Sequence, residues 1–139
     1  MAKKKAAAYR RTRKDHSTEI REDYVEAIAH FLRDAGSCHV SDLAAHFGVS
    51  HATASKTVSR LRRDGLVTHE PYRPVGLTAR GRRIAEEARE RHELVLRFLR
   101  AIGVSPAVAE VDAEGLEHHL SPETLACLAR IARGVRPTS

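Results

Sequence analysis

The stretch HVSDLAAHFGVSHATASKTVSRLRRDGLVTHE, from His39 to Glu70, places the strongest constraint on the fold. Its apolar residues recur at helical spacing in two short groups, and Gly48 separates the two groups. Ser41 and Ser50 stand where the N-caps of the two helices are expected. The pattern predicts a helix-turn-helix. The residues predicted to face inward are Leu43, Ala44, Phe47, Ala54, Val58 and Leu61.

The next segment, GLVTHEPYRPVGLTARG, predicts two short strands, Leu66 to Glu70 and Val75 to Thr78, joined by a turn around Pro71 to Pro74. A hairpin directly after a helix-turn-helix is the arrangement of a winged helix. Before it, apolar residues at helical spacing from Ile20 to Leu32 predict a first helix of about 15 residues that stops at Gly36.

The second half of the chain shows helical patterns only. A long helix is predicted from Thr78 to about Ala101, another from Pro106 through Leu120, and a last one that starts at Ser121. The predicted fold is therefore mainly α: an N-terminal winged helix-turn-helix with a small β-hairpin wing, followed by a helical dimerisation and metal-binding domain. The predicted boundaries are 1–18 for a basic, disordered tail, 19–80 for the winged helix and 81–139 for the helical domain.

The net charge of +6 is spread unevenly along the 139 residues. Residues 1–14 carry a net charge of +7 and residues 40–83 carry +5, so the rest of the chain sums to −6. Two basic blocks indicate a polyanionic partner such as double-stranded DNA. No apolar run approaches the roughly 20 residues that cross a bilayer, so we expect a cytoplasmic protein without a membrane partner.

The second helix of the helix-turn-helix carries small and polar residues near its start and two cations one turn apart, Lys56 and Arg60. Small side chains allow close approach to a groove of DNA, and the cations can reach phosphates or guanine. One such helix reads few base pairs, so a homodimer on a pseudo-palindromic operator is expected. The residues predicted to contact DNA are Ser50, His51, Ala52, Thr53, Lys56, Arg60 and, in the wing, Arg73.

Acidic residues and histidines concentrate in DAEGLEHHLSPE, from Asp112 to Glu123. In a helix, Glu114, Glu117 and His118 stand at i, i+3 and i+4 and share one face. Elsewhere the chain offers Asp23 and Glu26 at i and i+3 on the first helix, and His92 on the long helix. Taken one at a time, each of these side chains is more often an ordinary solvated or hydrogen-bonded group than a ligand.

Taken together, these side chains would form a carboxylate-rich set with two imidazoles. Carboxylates about 4 Å apart repel by about 4 kcal/mol per pair at an effective dielectric constant near 20, and two divalent cations would cancel that charge. Oxygen donors with a few imidazoles and no thiolate favour manganese or iron(II) over copper(I) or structural zinc. Cys38 and Cys127 form no C-x-x-C pair and suggest neither a disulfide nor a thiolate site.

From about Ile20 to Val135 the sequence resembles the manganese transport regulator branch of the diphtheria-toxin-repressor family, which consists of metal-activated winged-helix repressors. The resemblance rests on the segments EDYVEAI, DLAAHFGVS, TVSRLRRDGLV, GLTARG, RHELVLRFLRAIGV and DAEGLEHHLS. It implies a Mn²⁺-activated repressor of manganese uptake genes, with two Mn²⁺ per subunit and Fe²⁺ as a further candidate. The metal ligands that the resemblance implies are Asp23, Glu26, His92, Glu114, Glu117 and His118.

The iron-responsive branch of this family has a methionine and a cysteine where this chain has Asp23 and Glu114, so the resemblance favours manganese. Two alternatives remain at the level of the sequence. A metal-independent winged-helix regulator would respond to a small molecule, and its acidic cluster would merely be solvated. A dinuclear hydrolase or oxidase could also use carboxylates and histidines on helices. Such an enzyme would not explain the cations on the second helix of the helix-turn-helix. We therefore predict a transcriptional regulator and not an enzyme.

Overall fold

Helices dominate the part of the chain that this computed structural model describes, residues 2–134 without the side chains of residues 12 and 14–16. Met1 and residues 135–139, at the ends of the predicted tail and of the predicted second domain, lie outside the description. The elements are α1 (Ala2–Ala35), α2 (Val40–Phe47), α3 (His51–Arg63), β1 (Val67–Thr68), β2 (Gly76–Leu77), α4 (Ala79–Ala101), α5 (Pro106–Leu116), a 3-10 helix (Glu117–His119) and α6 (Pro122–Gly134). The predicted class, mainly α with a small hairpin, is confirmed.

The chain divides into two compact units. Ile20–Glu87 forms one of them, called here the winged-helix unit. The residues up to Glu19 and those from Ala88 onward form the other, called here the helical unit. Each unit has its own apolar core.

Helix α1 is longer than predicted, with 34 residues. The segment that we expected to be a disordered tail forms its first half in the described residues. Alanine, lysine and arginine make up most of residues 2–14, and they are among the best helix formers. No glycine or proline interrupts the chain before Gly36, where a φ of 80° ends the helix. The sequence interpretation gave too much weight to the charge of this segment and too little to its helix propensity.

The predicted helix-turn-helix is present as α2 and α3. Gly48 adopts a left-handed φ of 64° between them and donates its N–H to the carbonyl of Ala45. Tyr24 of α1 stacks on Phe47 of α2, with ring centroids 4.3 Å apart, so α1 and α2 share the same core. The residues predicted to face inward are buried, apart from Phe47, which is half-buried.

The two predicted helix caps have different outcomes. Ser50 caps α3 as expected, because its Oγ accepts the N–H of Thr53 at 3.1 Å. Ser41 does not cap α2. The helix already begins at Val40, and its N-terminal turn is closed by Asp42, whose Oδ2 accepts the N–H of His39 at 2.8 Å. The carboxylate of Asp42 therefore satisfies an N–H that we had not assigned to it.

The wing is a two-stranded antiparallel ribbon in which Val67 pairs with Leu77 and Thr68 with Gly76. Both strands are shorter than predicted, with two residues each. The N–H of Val75 donates to the carbonyl of Cys38 at 2.7 Å and connects the wing to the loop before α2. The ribbon is therefore held by the core of the unit and not by strand pairing alone.

Helix α4 starts in close contact with β1. Thr78 donates its N–H to the carbonyl of Leu66 at 3.0 Å and its hydroxyl to the carbonyl of Gly65 at 2.7 Å. Gly81 lies directly against Leu66, and a Cβ built on Gly81 would overlap the Leu66 carbonyl oxygen. The third position of this helix therefore has room only for glycine.

In the helical unit, α4 and α5 pack through Val95, Leu99, Ala109 and Ala113. The helix predicted from Pro106 to Leu120 ends as an α-helix at Leu116 and continues as the 3-10 helix. Helix α6 follows and has no buried residue in the described chain. None of the described helices is long and apolar enough to cross a bilayer.

The cysteines are free thiols in separate units. Cys38 is buried, and this burial, together with the negative charge of Asp42, raises the pKa of its thiol to about 11. A thiol with a raised pKa is a poor nucleophile and a poor metal ligand at neutral pH. Cys38 is therefore a core residue. Cys127 is half-buried and accepts a contact of 3.7 Å from Arg130.

Candidate metal centre and nucleic-acid interface

His92 of α4 lies between two carboxylates of α5. Its Nε2 is 3.0 Å from Oε1 of Glu110, and its Nδ1 is 3.5 Å from Oε2 of Glu114. The imidazole is mostly enclosed, with 14% of its side chain exposed, whereas the two carboxylates are about 60% exposed. Glu110 was missed at the sequence level. The signal was available, because Glu110 precedes Glu114 by one helical turn.

Glu117 and His118 form a second group in the 3-10 helix. Their side chains are fully enclosed, and Nε2 of His118 lies 3.3 Å from Oε1 of Glu117. Enclosing a carboxylate costs several kcal/mol unless charge or hydrogen bonds compensate it. A carboxylate and an imidazole kept together out of solvent are the kind of donors that a divalent cation accepts.

The three predicted ligands of this segment have different environments in the structure. The sequence placed Glu114, Glu117 and His118 on one face of one helix. In the structure Glu114 is exposed, and the other two are buried. His119 is 41% exposed and lies 3.3 Å from Oε2 of Glu19.

The other two predicted ligands, Asp23 and Glu26, lie on the part of α1 that belongs to the winged-helix unit. Both are half-buried. They stand one turn apart, between the buried residues Tyr24, Val25 and Ala27. Two acids placed among core residues are unusual on a helix, because charged groups are rarely buried without a function or a partner.

Helix α3 has three sides: the first faces the core, and the other two lie outside it. Ala54, Val58 and Leu61 face the core. At 100° per residue, Ala52, Lys56 and Arg60 follow one another on a second side. All three are exposed, as is Thr53 beside them. This second side, called here the readout side, therefore presents the small and cationic residues that were predicted to contact DNA.

Three predicted DNA contacts lie away from the readout side. Ser50 uses its hydroxyl within the helix start, since Oγ accepts the N–H of Thr53 and donates to its Oγ1 at 2.9 Å. His51 lies on the third side of α3, together with Ser55, Ser59 and Arg62, which face a groove toward the wing. Arg73 lines the same groove, and its Nε is 3.9 Å from Oε2 of Glu70.

Part of the basic block at residues 40–83 serves the fold. Arg62 donates to the carbonyl of His69 at 3.2 Å, Arg80 to the carbonyl of Asp64 at 2.8 Å and Arg82 to that of Leu77 at 3.1 Å. These guanidinium groups fasten the wing and the start of α4. Their positive charge nevertheless remains at the surface, because a hydrogen bond to a carbonyl does not neutralise it.

Two family models match the chain. The one described as "Iron dependent repressor, N-terminal DNA binding domain" matches residues 16–75. The one described as "Iron dependent repressor, metal binding and dimerisation domain" matches residues 78–135. The two matches together cover nearly all of the chain after its basic N-terminal segment.

Similar proteins point in the same direction. The chain is 47% identical over 117 residues to the transcriptional regulator MntR of Escherichia coli O6:H1, a match that covers 84% of this chain and 76% of the relative. It is 41% identical over 104 residues to the HTH-type transcriptional regulator MntR of Geobacillus kaustophilus, covering 75% of this chain and 74% of the relative.

Among solved structures, a manganese-dependent transcriptional repressor in complex with manganese superposes with a TM-score of 0.72 at 32% identity. That match covers 81% of this chain and 52% of the other, so the chain spans about half the length of that repressor. One explanation accounts for the winged-helix unit, for the enclosed carboxylate and imidazole donors and for these similarities. The chain belongs to the diphtheria-toxin-repressor family of metal-dependent, DNA-binding transcriptional regulators, and it contains both the DNA-binding and the metal-binding and dimerisation domains of that family.

Proposed function

We propose that this protein is a Mn²⁺-activated repressor of manganese uptake genes. The observation that carries the proposal is the donor set of the helical unit: His92 between Glu110 and Glu114, with the enclosed pair Glu117 and His118 nearby in sequence. Carboxylate oxygens with a few imidazole nitrogens are hard to borderline donors, which suit Mn²⁺. The manganese dependence of the similar solved repressor supports the same metal.

The proposed ligands are the six that the family resemblance implies: Asp23, Glu26, His92, Glu114, Glu117 and His118. Two Mn²⁺ per subunit would match the number of carboxylates, and Fe²⁺ is the alternative metal. Neither thiol belongs to this set, and the raised pKa of Cys38 disfavours thiolate ligation. A bound divalent cation would supply the positive charge that compensates these carboxylates.

Each unit contains some of the proposed metal ligands. Asp23 and Glu26 stand on the helix that also supplies core residues of the DNA-binding fold. The contact of Glu110 with Nε2 of His92 would restrain the imidazole and leave Nδ1, on the side of Glu114, for the metal. Shared ligation by residues of both units would couple the DNA-binding part to the dimerising part. The affinity for DNA then rises with metal to the extent that metal binds the DNA-competent state more tightly.

A homodimer on a pseudo-palindromic operator is part of the proposal. The helical unit exposes large apolar side chains, which a second copy would remove from water. These are Ile102, Val108, Val111, Leu116 and Ile131. A dimer presents two copies of α3, and a two-fold symmetric protein matches a two-fold symmetric DNA site. The chromosome is the target, so the cytoplasm is the proposed location.

The proposal is tested by the binding of DNA from upstream of the protein's own gene. We expect a gel shift at low micromolar Mn²⁺ or anaerobic Fe²⁺, and its loss after dialysis against EDTA. Zn²⁺ serves as a comparison, because it favours fewer ligands and softer donors. Equally tight binding after exhaustive removal of metal would contradict the proposal and would favour the metal-independent regulator instead.

Replacing Glu110 by glutamine tests the role of the residue that the sequence did not indicate. The amide keeps the size of the side chain but removes the charge that faces Nε2 of His92. We expect the affinity for Mn²⁺ to fall by about tenfold, as for other partners that orient a metal-binding imidazole. The measurement is isothermal titration calorimetry. Glu93→Gln is the matched control, because Glu93 lies on α4 and contacts Arg89 at 4.0 Å; an equal effect in both variants would argue against a specific role.

A further inference from the structure

The N-terminal half of α1, residues 2–19, belongs to the helical unit, whereas the rest of this helix belongs to the winged-helix unit. Two side chains of this N-terminal segment contact His119. The guanidinium group of Arg11 donates from Nη2 to the carbonyl oxygen of His119 at 3.4 Å. Oε2 of Glu19 lies 3.3 Å from Nε2 of the same residue. The segment therefore contacts both the backbone and the side chain of one residue in the 3-10 helix.

Arg11 and Glu19 lie on the same side of α1. They are eight residues apart in the sequence. This spacing is a little over two turns of an α-helix and about 12 Å along its axis. Arg11 stands before residue 16, where the match to the DNA-binding family model begins. The contact between Arg11 and His119 is therefore a feature of this chain that the family match does not include.

His119 is the last residue of a 3-10 helix that has three residues, Glu117–His119. The last carbonyls of a helix lack an N–H partner within that helix, and the hydrogen bonds of a 3-10 helix have poorer geometry than those of an α-helix. At Leu120 the backbone becomes extended, with a ψ of 136°. The contacts from α1 therefore reach this turn at the end where its own hydrogen bonds stop.

The residues that precede His119 in this turn are two proposed metal ligands, Glu117 and His118. Both are buried, whereas 41% of the His119 side chain and 25% of the Glu19 side chain are exposed. Contacts between partly exposed charged groups contribute little to the stability of a fold. Groups that orient a metal ligand matter more, because their loss lowers metal affinity by about 10-fold to 100-fold. We therefore expect these contacts to affect metal binding more than folding.

We propose that residues 2–19 anchor the turn that carries Glu117 and His118, and that Arg11 and Glu19 are positioning residues of the metal centre. They act through His119, which is not itself a proposed ligand. This inference rests on the proposed function, because it assumes that a divalent cation binds at Glu117 and His118. It goes further in giving the basic N-terminal segment a role in metal affinity.

The first test separates positioning from direct ligation by Glu19, whose carboxylate offers an oxygen within 4.8 Å of a ring nitrogen of His118. Glu19→Ala should lower the affinity for Mn²⁺ about tenfold in isothermal titration calorimetry on the full chain. Glu19→Gln keeps an oxygen that can accept an N–H of His119, so it should restore most of the lost affinity. Glu123→Ala, which removes an exposed carboxylate of α6, should have no effect. An affinity of Glu19→Gln as low as that of Glu19→Ala, or no loss in Glu19→Ala, would overturn the proposal.

A double-mutant cycle with His119→Ala tests whether Glu19 acts through this residue. Glu19→Ala should cause no further loss of Mn²⁺ affinity in the His119→Ala protein, because the side-chain contact is already absent. Arg11→Ala should cause its full loss there, because its acceptor is the backbone carbonyl, which alanine retains. Arg10→Ala, which removes an exposed neighbouring cation, is the matched control. Additive losses for Glu19 and His119, or equal Mn²⁺ affinities of the Arg11→Ala and Arg10→Ala proteins, would overturn the proposal.

Hydrogen exchange without metal tests the anchor independently of Mn²⁺ binding. In the metal-free, full-length protein, the amides of residues 117–120 should exchange faster in Glu19→Ala than in the wild type. In Glu123→Ala they should exchange at the wild-type rate. Equal exchange in all three proteins would overturn the inference even if Mn²⁺ binds. Faster exchange in Glu19→Ala, together with a wild-type protein that binds no Mn²⁺, would support the anchor and contradict the proposed function.

Discussion

Replacing Glu114 by alanine should lower the affinity for Mn²⁺ by about 100-fold or more, a larger loss than that expected for residues that only orient a ligand. Glu114 lies 3.5 Å from Nδ1 of His92 and is exposed, so the variant loses a charged donor without opening a cavity in a core. The operator gel shift at a fixed Mn²⁺ concentration should be lost in parallel. Calorimetry and the gel shift together measure both effects.

The control for this experiment is Glu123→Ala, which removes an exposed carboxylate from the first turn of α6, outside the proposed ligand set. It should bind Mn²⁺ like the wild-type protein. His118→Ala is the second ligand variant, and it should also abolish binding. Circular dichroism verifies that each variant remains helical. A folded Glu114→Ala variant with wild-type affinity for Mn²⁺ would show that the proposed ligand set is wrong.

Replacing Gly81 by alanine should destabilise the winged-helix unit by about 3 kcal/mol, the upper part of the range for overpacked cores. The added methyl group would overlap the carbonyl oxygen of Leu66, which already accepts the N–H of Thr78. Backbone atoms cannot turn aside as a flexible side chain can, so the start of α4 must move away from β1. The measurement is urea denaturation followed by circular dichroism at constant protein concentration.

Gly115→Ala provides the matched comparison. Gly115 lies inside α5, and a Cβ built on it meets nothing within 4 Å in the described chain. Alanine is the better helix former by about 1 kcal/mol, so this variant should be as stable as the wild-type protein or more so. Equal destabilisation by the two substitutions would show that the contact between Gly81 and Leu66 is not the cause.

The winged helix could be predicted well because its signals are local. Apolar spacing identified α2 and α3, and the glycine between them identified the turn. Ser50 was correctly assigned as a cap. The predictions that were wrong concern segments in which two local signals disagree. The basic start of α1 combines high charge, which suggested disorder, with high helix propensity, which the structure follows. Ser41 was a plausible cap, but Asp42 closes the start of α2 instead.

The candidate site was predictable in its residue types and less so in its arrangement. Spacing brought Glu114, Glu117 and His118 together, but it assumed an uninterrupted α-helix. No local signal marks the change to a 3-10 helix after Leu116. Glu110 was overlooked although it precedes Glu114 by one turn, and its contact with His92, 18 positions away, is known only from the folded chain.

The 3-10 helix gives two neighbouring histidines opposite surroundings. His118 is enclosed, and His119 is 41% exposed beside Glu19. Adjacent residues of a helical turn point about 100° to 120° apart, so the orientation of this turn toward the core decides which imidazole leaves the solvent. A design that borrows the Glu-His-His tripeptide therefore has to borrow its orientation toward a core as well.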